Sequence, residues 1–218
     1  MPLKDWDINI YRGVLTGYNE AFIIDGKKKD ELIAEDPKSA EIIRPILRGR
    51  DIKRYGYEFA DLWLLYIPWH FPLHKNSNIT GVSEEAEKEF QKQYPDIYNH
   101  LLKHKKELSA RNKAETGIRY EWYALQRWGA NYWEDLDRQK VVWKRVGSIL
   151  RFCYDENKHT VLDSTCFATG KNLKYLLGIL NSKLGNYMLQ DSPKTGTGDL
   201  LISVQAIEPL KIPMPDTE

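Results

Sequence analysis

Ile8-Asn9-Ile10-Tyr11-Arg12-Gly13-Val14-Leu15-Thr16-Gly17-Tyr18-Asn19-Glu20-Ala21-Phe22-Ile23-Ile24-Asp25 reads as strand, turn, strand. Ile8 alternates with Ile10, and Phe22 with Ile24, so each run can bury one face. Gly13 and Gly17 lie between them and reach backbone angles that other residues resist. Arg12, Thr16, Tyr18 and Asn19 crowd the same few positions. A guanidinium, a hydroxyl, a phenol and an amide on a rigid two-stranded base can contact phosphates and base edges. An ordinary hairpin with a polar tip carries the same residue types.

Outward from this stretch, 31–35 and 39–47 read as two short helices broken by Pro37. Ser39 is the expected N-cap of the second, and Ile42, Ile43 and Ile46 form its apolar face. Pro45 should end or kink it. The following loop holds Arg44, Arg48, Arg50, Lys53 and Arg54 against one acid, Asp51, and closes on Tyr55. A basic loop with a glycine suits phosphate contact, with an arginine able to reach guanine. The apolar run 62–68 reads as a buried central strand, and 69–74 as an aromatic loop. Ser83 opens an acidic helix over 84–93, stopped by Tyr94-Pro95. A second helix over 96–112 has a basic side of Lys103, Lys105, Lys106 and Arg111, continued by Lys113. Over 119–128 arginines interleave with aromatics, which offers either a stacking surface or a core-facing edge. Strands are expected at 140–143, 149–154, 160–162 and 165–168. The span 138–151 holds Arg138, Lys140, Lys144, Arg145 and Arg151 with no acid. Leu173, Leu176, Leu177, Leu180, Leu184, Tyr187 and Met188 then share one face of a long helix. Short strands at 200–202 and 210–212 close the chain.

The 218 residues suffice for one large domain or two small ones. Hydrophobic content of 42% is enough for a core. Net charge is +1, so the global basic signal of a non-specific DNA binder is absent. Cys153 and Cys166 are too few for a disulfide framework. No apolar run reaches membrane-spanning length and no signal peptide opens the chain, which predicts a soluble, cytoplasmic protein. The chain begins almost directly on its first strand, as a domain excised from a larger protein would.

The blocks Tyr11-Arg12-Gly13, Thr16-Gly17-x-Asn19-x-Ala21-Phe22-Ile23-Ile24-Asp25 and Asp36-Pro37-x-Ser39-x-Glu41-Ile42-Ile43-x-Pro45-x-Leu47-Arg48-Gly49-x-Asp51-Ile52-x-x-Tyr55 occur in order. They are followed by Lys140-Val141-Val142-Trp143, Arg151-Phe152, Asp163-Ser164-Thr165 and Leu173-Lys174-Tyr175-Leu176-Leu177-Gly178-Ile179-Leu180-Asn181-Ser182. Jointly they resemble the TaqI-like C-terminal specificity domain. That domain is the target-recognition part of N6-adenine DNA methyltransferases and of single-chain restriction-modification enzymes. The stretch from about Trp69 to Trp133 carries little of the resemblance.

An adenine methyltransferase needs a glycine-rich cofactor loop and an Asn or Asp followed by Pro-Pro and an aromatic. Neither occurs. The resemblance therefore implies that the catalytic half, with its S-adenosylmethionine, lies outside this chain, and that no cofactor binds here. Asp25-Gly26-Lys27, Asp36-Pro37-Lys38 and Asp51-Ile52-Lys53 match half of a metal-dependent nuclease motif, but none follows a suitable Pro-Asp element. His100 and His104 have metal-capable spacing among repelling lysines. Cys153, His159 and Cys166 lack an evident fourth ligand, and the cysteines read as buried and structural.

The expected fold is α+β: a sheet-based recognition domain over 1–218, with a helical insertion at about 83–138 and a long helix towards the C-terminus. The expected function is recognition of double-stranded DNA, with a methyltransferase domain as partner and no membrane. The candidate DNA-binding residues are Arg12, Thr16, Asn19, Arg48, Arg50, Lys53, Arg54 and Tyr55, then Lys144, Arg145 and Arg151, gathered on one surface. Two other classes fit part of the pattern. A protein-interaction module suits the near-zero charge and many Trp and Tyr residues, and a self-contained nuclease would need metal-dependent cleavage.

Overall fold

The computed structural model describes residues 1–215; the last three residues of the expected 1–218 domain lie outside it. The chain opens with β1 (Ile8–Arg12), α1 (Asn19–Phe22), β2 (Ile23–Asp25), α2 (Gly26–Glu35), β3 (Ile43–Leu47) and β4 (Leu62–Leu65). Three helices follow, α3 (Glu84–Gln93), α4 (Pro95–Leu102) and α5 (Lys105–Ala110). Next come β5 (Lys140–Lys144), β6 (Val146–Gly147), β7 (Phe152–Asp155), β8 (Thr160–Val161) and β9 (Thr165–Gly170). The described chain finishes with α6 (Leu173–Leu180), α7 (Lys183–Leu189), β10 (Leu200–Leu201) and α8 (Val204–Ile207). Mostly antiparallel strands and segregated helices make the fold α+β, as the sequence predicts.

Two compact units divide the chain. One comprises Met1–Gly13, Ile46–Ala60 and the chain from Tyr132 onward; the other comprises Val14–Pro45 and Asp61–Asn131. In the first, a four-stranded antiparallel sheet runs β1-β9-β5-β7. Val141 and Trp143 of β5, with Cys166 and Ala168 of β9, are two residues apart and so point to one face. That face packs against Leu173, Leu176, Leu177 and Leu180 of α6. Each such leucine contributes about 1.5–3 kcal/mol by leaving water. Ile8 and Ile10 pack on the same core, while Tyr11 turns the other way and stacks on Tyr132. The alternation read in 8–10 is thus used as expected.

The second unit is built on β4, which lies between β2 and the first half of β3. This is the central strand expected at 62–68, with Leu64 and Leu65 buried. Around it Phe71, Phe90, Tyr94, Tyr98 and Tyr123 form an interlocked aromatic cluster. The loop over 69–74 therefore packs over a core: Phe71 joins this cluster, and Trp69 stacks on Tyr120. Helix α3 begins where expected, with Ser83 Oγ accepting from Ala86 N at 3.1 Å.

Several local expectations are corrected. The opening stretch is not a hairpin. β1 pairs along its whole length with β9, and β2 pairs with β4. Gly13 serves close approach rather than a turn, because a Cβ there would lie 2.2 Å from the Leu162 carbonyl oxygen. Asn19 opens α1. Residues 39–47 are not a helix either: Pro37–Glu41 is a 3-10 turn capped by Asp36 and ended by Ile42, and Ile43 and Ile46 enter β3. The short helix expected at 31–35 is the end of α2, which begins at Gly26 with the Asp25 carboxylate accepting from Lys28 N. The helix expected over 96–112 is α4 and α5, parted at His104. The strip 119–128 is irregular, and its Tyr120, Trp122 and Tyr123 are buried. The long C-terminal helix is two, α6 and α7, and Leu184 and Tyr187 are exposed rather than buried.

Two counted surface charges are interior. Lys140 is wholly buried, and its Nζ donates to Asp155 Oδ2 at 3.2 Å and to the His159 carbonyl at 3.0 Å. The pairing follows from register, since Lys140 faces Asp155 across β5 and β7. Burial lowers the ammonium's pKa, and the Asp155 charge opposes that. Arg111 is also buried. Its guanidinium donates to the carbonyls of Leu108, Thr16, Trp122 and Ala124. These carbonyl oxygens solvate its charge, and burial lowers its pKa to about 10. No helix among the described residues is long and apolar enough to cross a membrane.

Candidate nucleic-acid interface

Between β3 and Tyr55 the chain makes a one-turn 3-10 helix, Gly49–Asp51. Its geometry is fixed by Arg48 and Asp51. Arg48 N and Nε donate to Asp51 Oδ2 at 2.8 and 2.9 Å, and Nη2 donates to Oδ1 at 2.8 Å. Burial alone would raise the Asp51 pKa, but the hydrogen bonds and charge of Arg48 outweigh it and hold the carboxyl below its usual value. Arg48 is therefore a clasp. Arg50, one residue past the glycine, is exposed and makes no side-chain hydrogen bond or ion pair among the described residues.

The end of β5 supplies a second cation to the same place. A Cβ on Gly49 would sit 3.0 Å from Lys144 Cγ, and one on Gly147 would sit 3.6 Å from Lys144 Cδ. Gly49 thus leaves room for the lysine stem, Gly147 lies in ordinary contact range of it, and Gly49 N is tied to Ser164 Oγ at 3.2 Å. Beyond β6 the loop carries Ser148 and Ile149 to Arg151. Arg50, Lys144 and Arg151 line one recess of about 200 Å³, with Gly49 and Ile52 below and Ser148 and Ile149 beside them. Lys144 and Arg151 are exposed and, like Arg50, have no side-chain hydrogen bond or ion pair among the described residues.

The remaining candidates are differently occupied. Arg12 bonds the Asp163 carboxylate, which Arg145 also approaches at 3.8 Å. Lys53 pairs with Glu58 at 3.0 Å. Arg54 Nη2 donates to the Asn181 carbonyl at 2.8 Å while its guanidinium lies over the Tyr55 ring. Tyr55 has φ +72 and an exposed ring, and its N–H donates to the Phe152 carbonyl at 2.8 Å. All of these belong to the first unit. Thr16 and Asn19 belong to the second; Thr16 is buried and donates to Asn19 Oδ1 at 2.6 Å. Sequence reasoning missed Ser148, Ile149 and Ile52. The only sign was a short Gly147-Ser148 break between basic residues. Among the described residues no three of His, Cys, Asp or Glu come together as a metal site.

The model of the TaqI-like C-terminal specificity domain matches residues 44–210. The chain belongs to that family. The matched region contains the arginine turn, the end of β5 and the whole recess, while Arg12, Thr16 and Asn19 precede it. No curated protein matches the chain. Among solved structures, the specificity domain has the fold of part of the type IIL restriction-modification enzyme MmeI, solved in complex with DNA. The TM-score is 0.60 at 11% identity, covering 96% of this chain and 25% of that one. The type IIG restriction endonuclease BpuSI is also similar, at 16% identity and TM-score 0.46, over 98% of this chain and 24% of that one. The specificity domain therefore spans about a quarter of the length of either enzyme.

Proposed function

We propose that this specificity domain recognises a sequence in double-stranded DNA for an adenine-N6 methyltransferase or restriction-modification enzyme. Cytoplasmic location and a parent that uses S-adenosylmethionine are parts of the same reading. The domain would fix register on the duplex, while a catalytic domain outside this chain extrudes and methylates the adenine. The observation that carries it is the recess: three cationic side chains with no hydrogen bond or ion pair among the described residues line it, inside the family-matched region. A duplex is held chiefly through its phosphates, and each neutralised phosphate releases counterions. Arg50 and Arg151 have the bidentate geometry that suits guanine, and Lys144 suits a phosphate as a point charge.

The test is a salt titration of the whole chain on labelled duplexes, read by fluorescence anisotropy. Affinity should fall with salt, with a log–log slope of about three at most, and a triple Arg50→Ala, Lys144→Ala, Arg151→Ala variant should flatten the dependence. Equal, salt-insensitive binding by both proteins would remove the recess from the interface. The interaction-module reading draws on the abundance of Trp and Tyr, yet Trp143, Tyr120 and Tyr123 are fully buried and serve the cores.

A further inference from the structure

We propose that the recess reads a thymine C5-methyl group beside the cation-bound part of the duplex, with Ile149 as the specificity-determining contact. This rests on the reading of the domain as a DNA target-recognition module. The recess is not uniformly cationic. Its floor includes the buried Ile52, and its rim carries Ile149, which is 64% exposed. A lone exposed isoleucine is ordinary on a protein surface. This one shares a 200 Å³ recess with Arg50, Lys144 and Arg151.

Phosphate oxygens gain nothing from an apolar wall. A major-groove base edge does, because thymine presents a methyl group next to its O4 acceptor and guanine presents O6 and N7. A mixed wall of guanidinium, hydroxyl and isoleucine matches such an edge, with Ser148 able to donate to O4 and Ile149 packing on the methyl. The Lys144 stem, packed close against Gly49, leaves the ammonium for the backbone. Arg48 takes no direct part, because Asp51 engages its guanidinium; it is a positioning residue for Arg50.

The experiment uses the whole chain and a pool of duplexes with a randomised core. Wild type should enrich a consensus containing a thymine. Replacing that thymine by deoxyuridine, which removes only the methyl, should weaken wild type by about four-fold, the worth of one buried methyl group. Ile149→Ala should bind the thymine and deoxyuridine duplexes equally while keeping the wild-type salt slope and unfolding midpoint. Deoxyuridine replacement without effect at every thymine, or wild-type discrimination by Ile149→Ala, overturns this inference and leaves DNA recognition standing. Failure to enrich any sequence, with salt-insensitive binding, overturns both.

Discussion

Arg48 and Arg50 are two positions apart and chemically identical, yet the structure gives them opposite tasks. Arg48 closes a turn on Asp51; Arg50 projects from that turn. Arg50→Ala should weaken duplex binding by about 1–3 kcal/mol if it reads a base, and relax preference at one position of the site. Its unfolding midpoint should not move. Arg48→Ala should instead destabilise the fold by about 1–3 kcal/mol, because it leaves the buried Asp51 carboxylate without its main donor. Chemical denaturation of the two variants separates these outcomes. The Asp51 clasp also carries a pH dependence. Its folded pKa is depressed, so its stabilisation is present above the unfolded value of about 3.9 and is lost as pH falls through the folded value. Below about pH 4 the stability gap between wild type and Asp51→Asn should therefore narrow. Sequence made the basic residues legible but not their partners. Lys140, Arg111 and Arg50 look alike in a charge count, and only register and packing tell an interior cation from an exposed one.

At the level of elements, the break between α6 and α7 explains where the sequence pattern misleads. The apolar spacing runs on in phase through Leu180, Leu184 and Tyr187, but Asn181 intervenes. Its side chain accepts from Phe152 N at 3.1 Å and donates to Phe152 O at 2.8 Å, so it meets a strand residue of β7 as a neighbouring strand would. Ser182 then caps α7 by accepting from Gly185 N at 3.2 Å. Asn181→Leu keeps the bulk and the apolar pattern but takes the side-chain acceptor from Phe152 N, while the Phe152 carbonyl keeps the Tyr55 N–H. It should cost about 1–3 kcal/mol, against about 1 kcal/mol for Ser182→Ala. Thermal unfolding of both variants checks the order. Elements with long-range partners were the ones sequence reasoning lost: β1 and β2 look like a hairpin because their true partners lie far along the chain. Elements with local signals were read well, as with α3 and its Ser83 cap, or the apolar run of β4.

For the whole molecule, net charge is a poor guide to how DNA would be held. Eleven residues are candidates by sequence, but among the described residues only Arg50, Lys144 and Arg151 of these combine exposure, a shared recess and the lack of a side-chain hydrogen bond or ion pair. With about 0.9 counterions released per neutralised phosphate, the log–log salt slope of this chain should lie near three at most, well short of ten. Each single alanine substitution that removes a phosphate contact should lower it by about one. S-adenosylmethionine should give no calorimetric binding at micromolar strength, since the chain contains neither the cofactor loop nor the base-holding tetrapeptide. The interior carries its own prediction. Asp155→Ala leaves the Lys140 ammonium buried beside only a carbonyl and should destabilise by about 3–5 kcal/mol, measured by urea unfolding.

The pairing of β1 with β9 has a consequence for how the protein is made. Arg12 meets Cys166 more than 150 residues further along the chain. On a ribosome adding about 5–20 residues per second, β1 waits roughly ten to thirty seconds for its partner. Val14–Pro45 and Asp61–Asn131 are complete before that partner is made. The nascent chain must therefore shelter a β-prone N-terminal segment while an unrelated part of itself folds, which makes β1 the segment whose exposure a chaperone would have to cover.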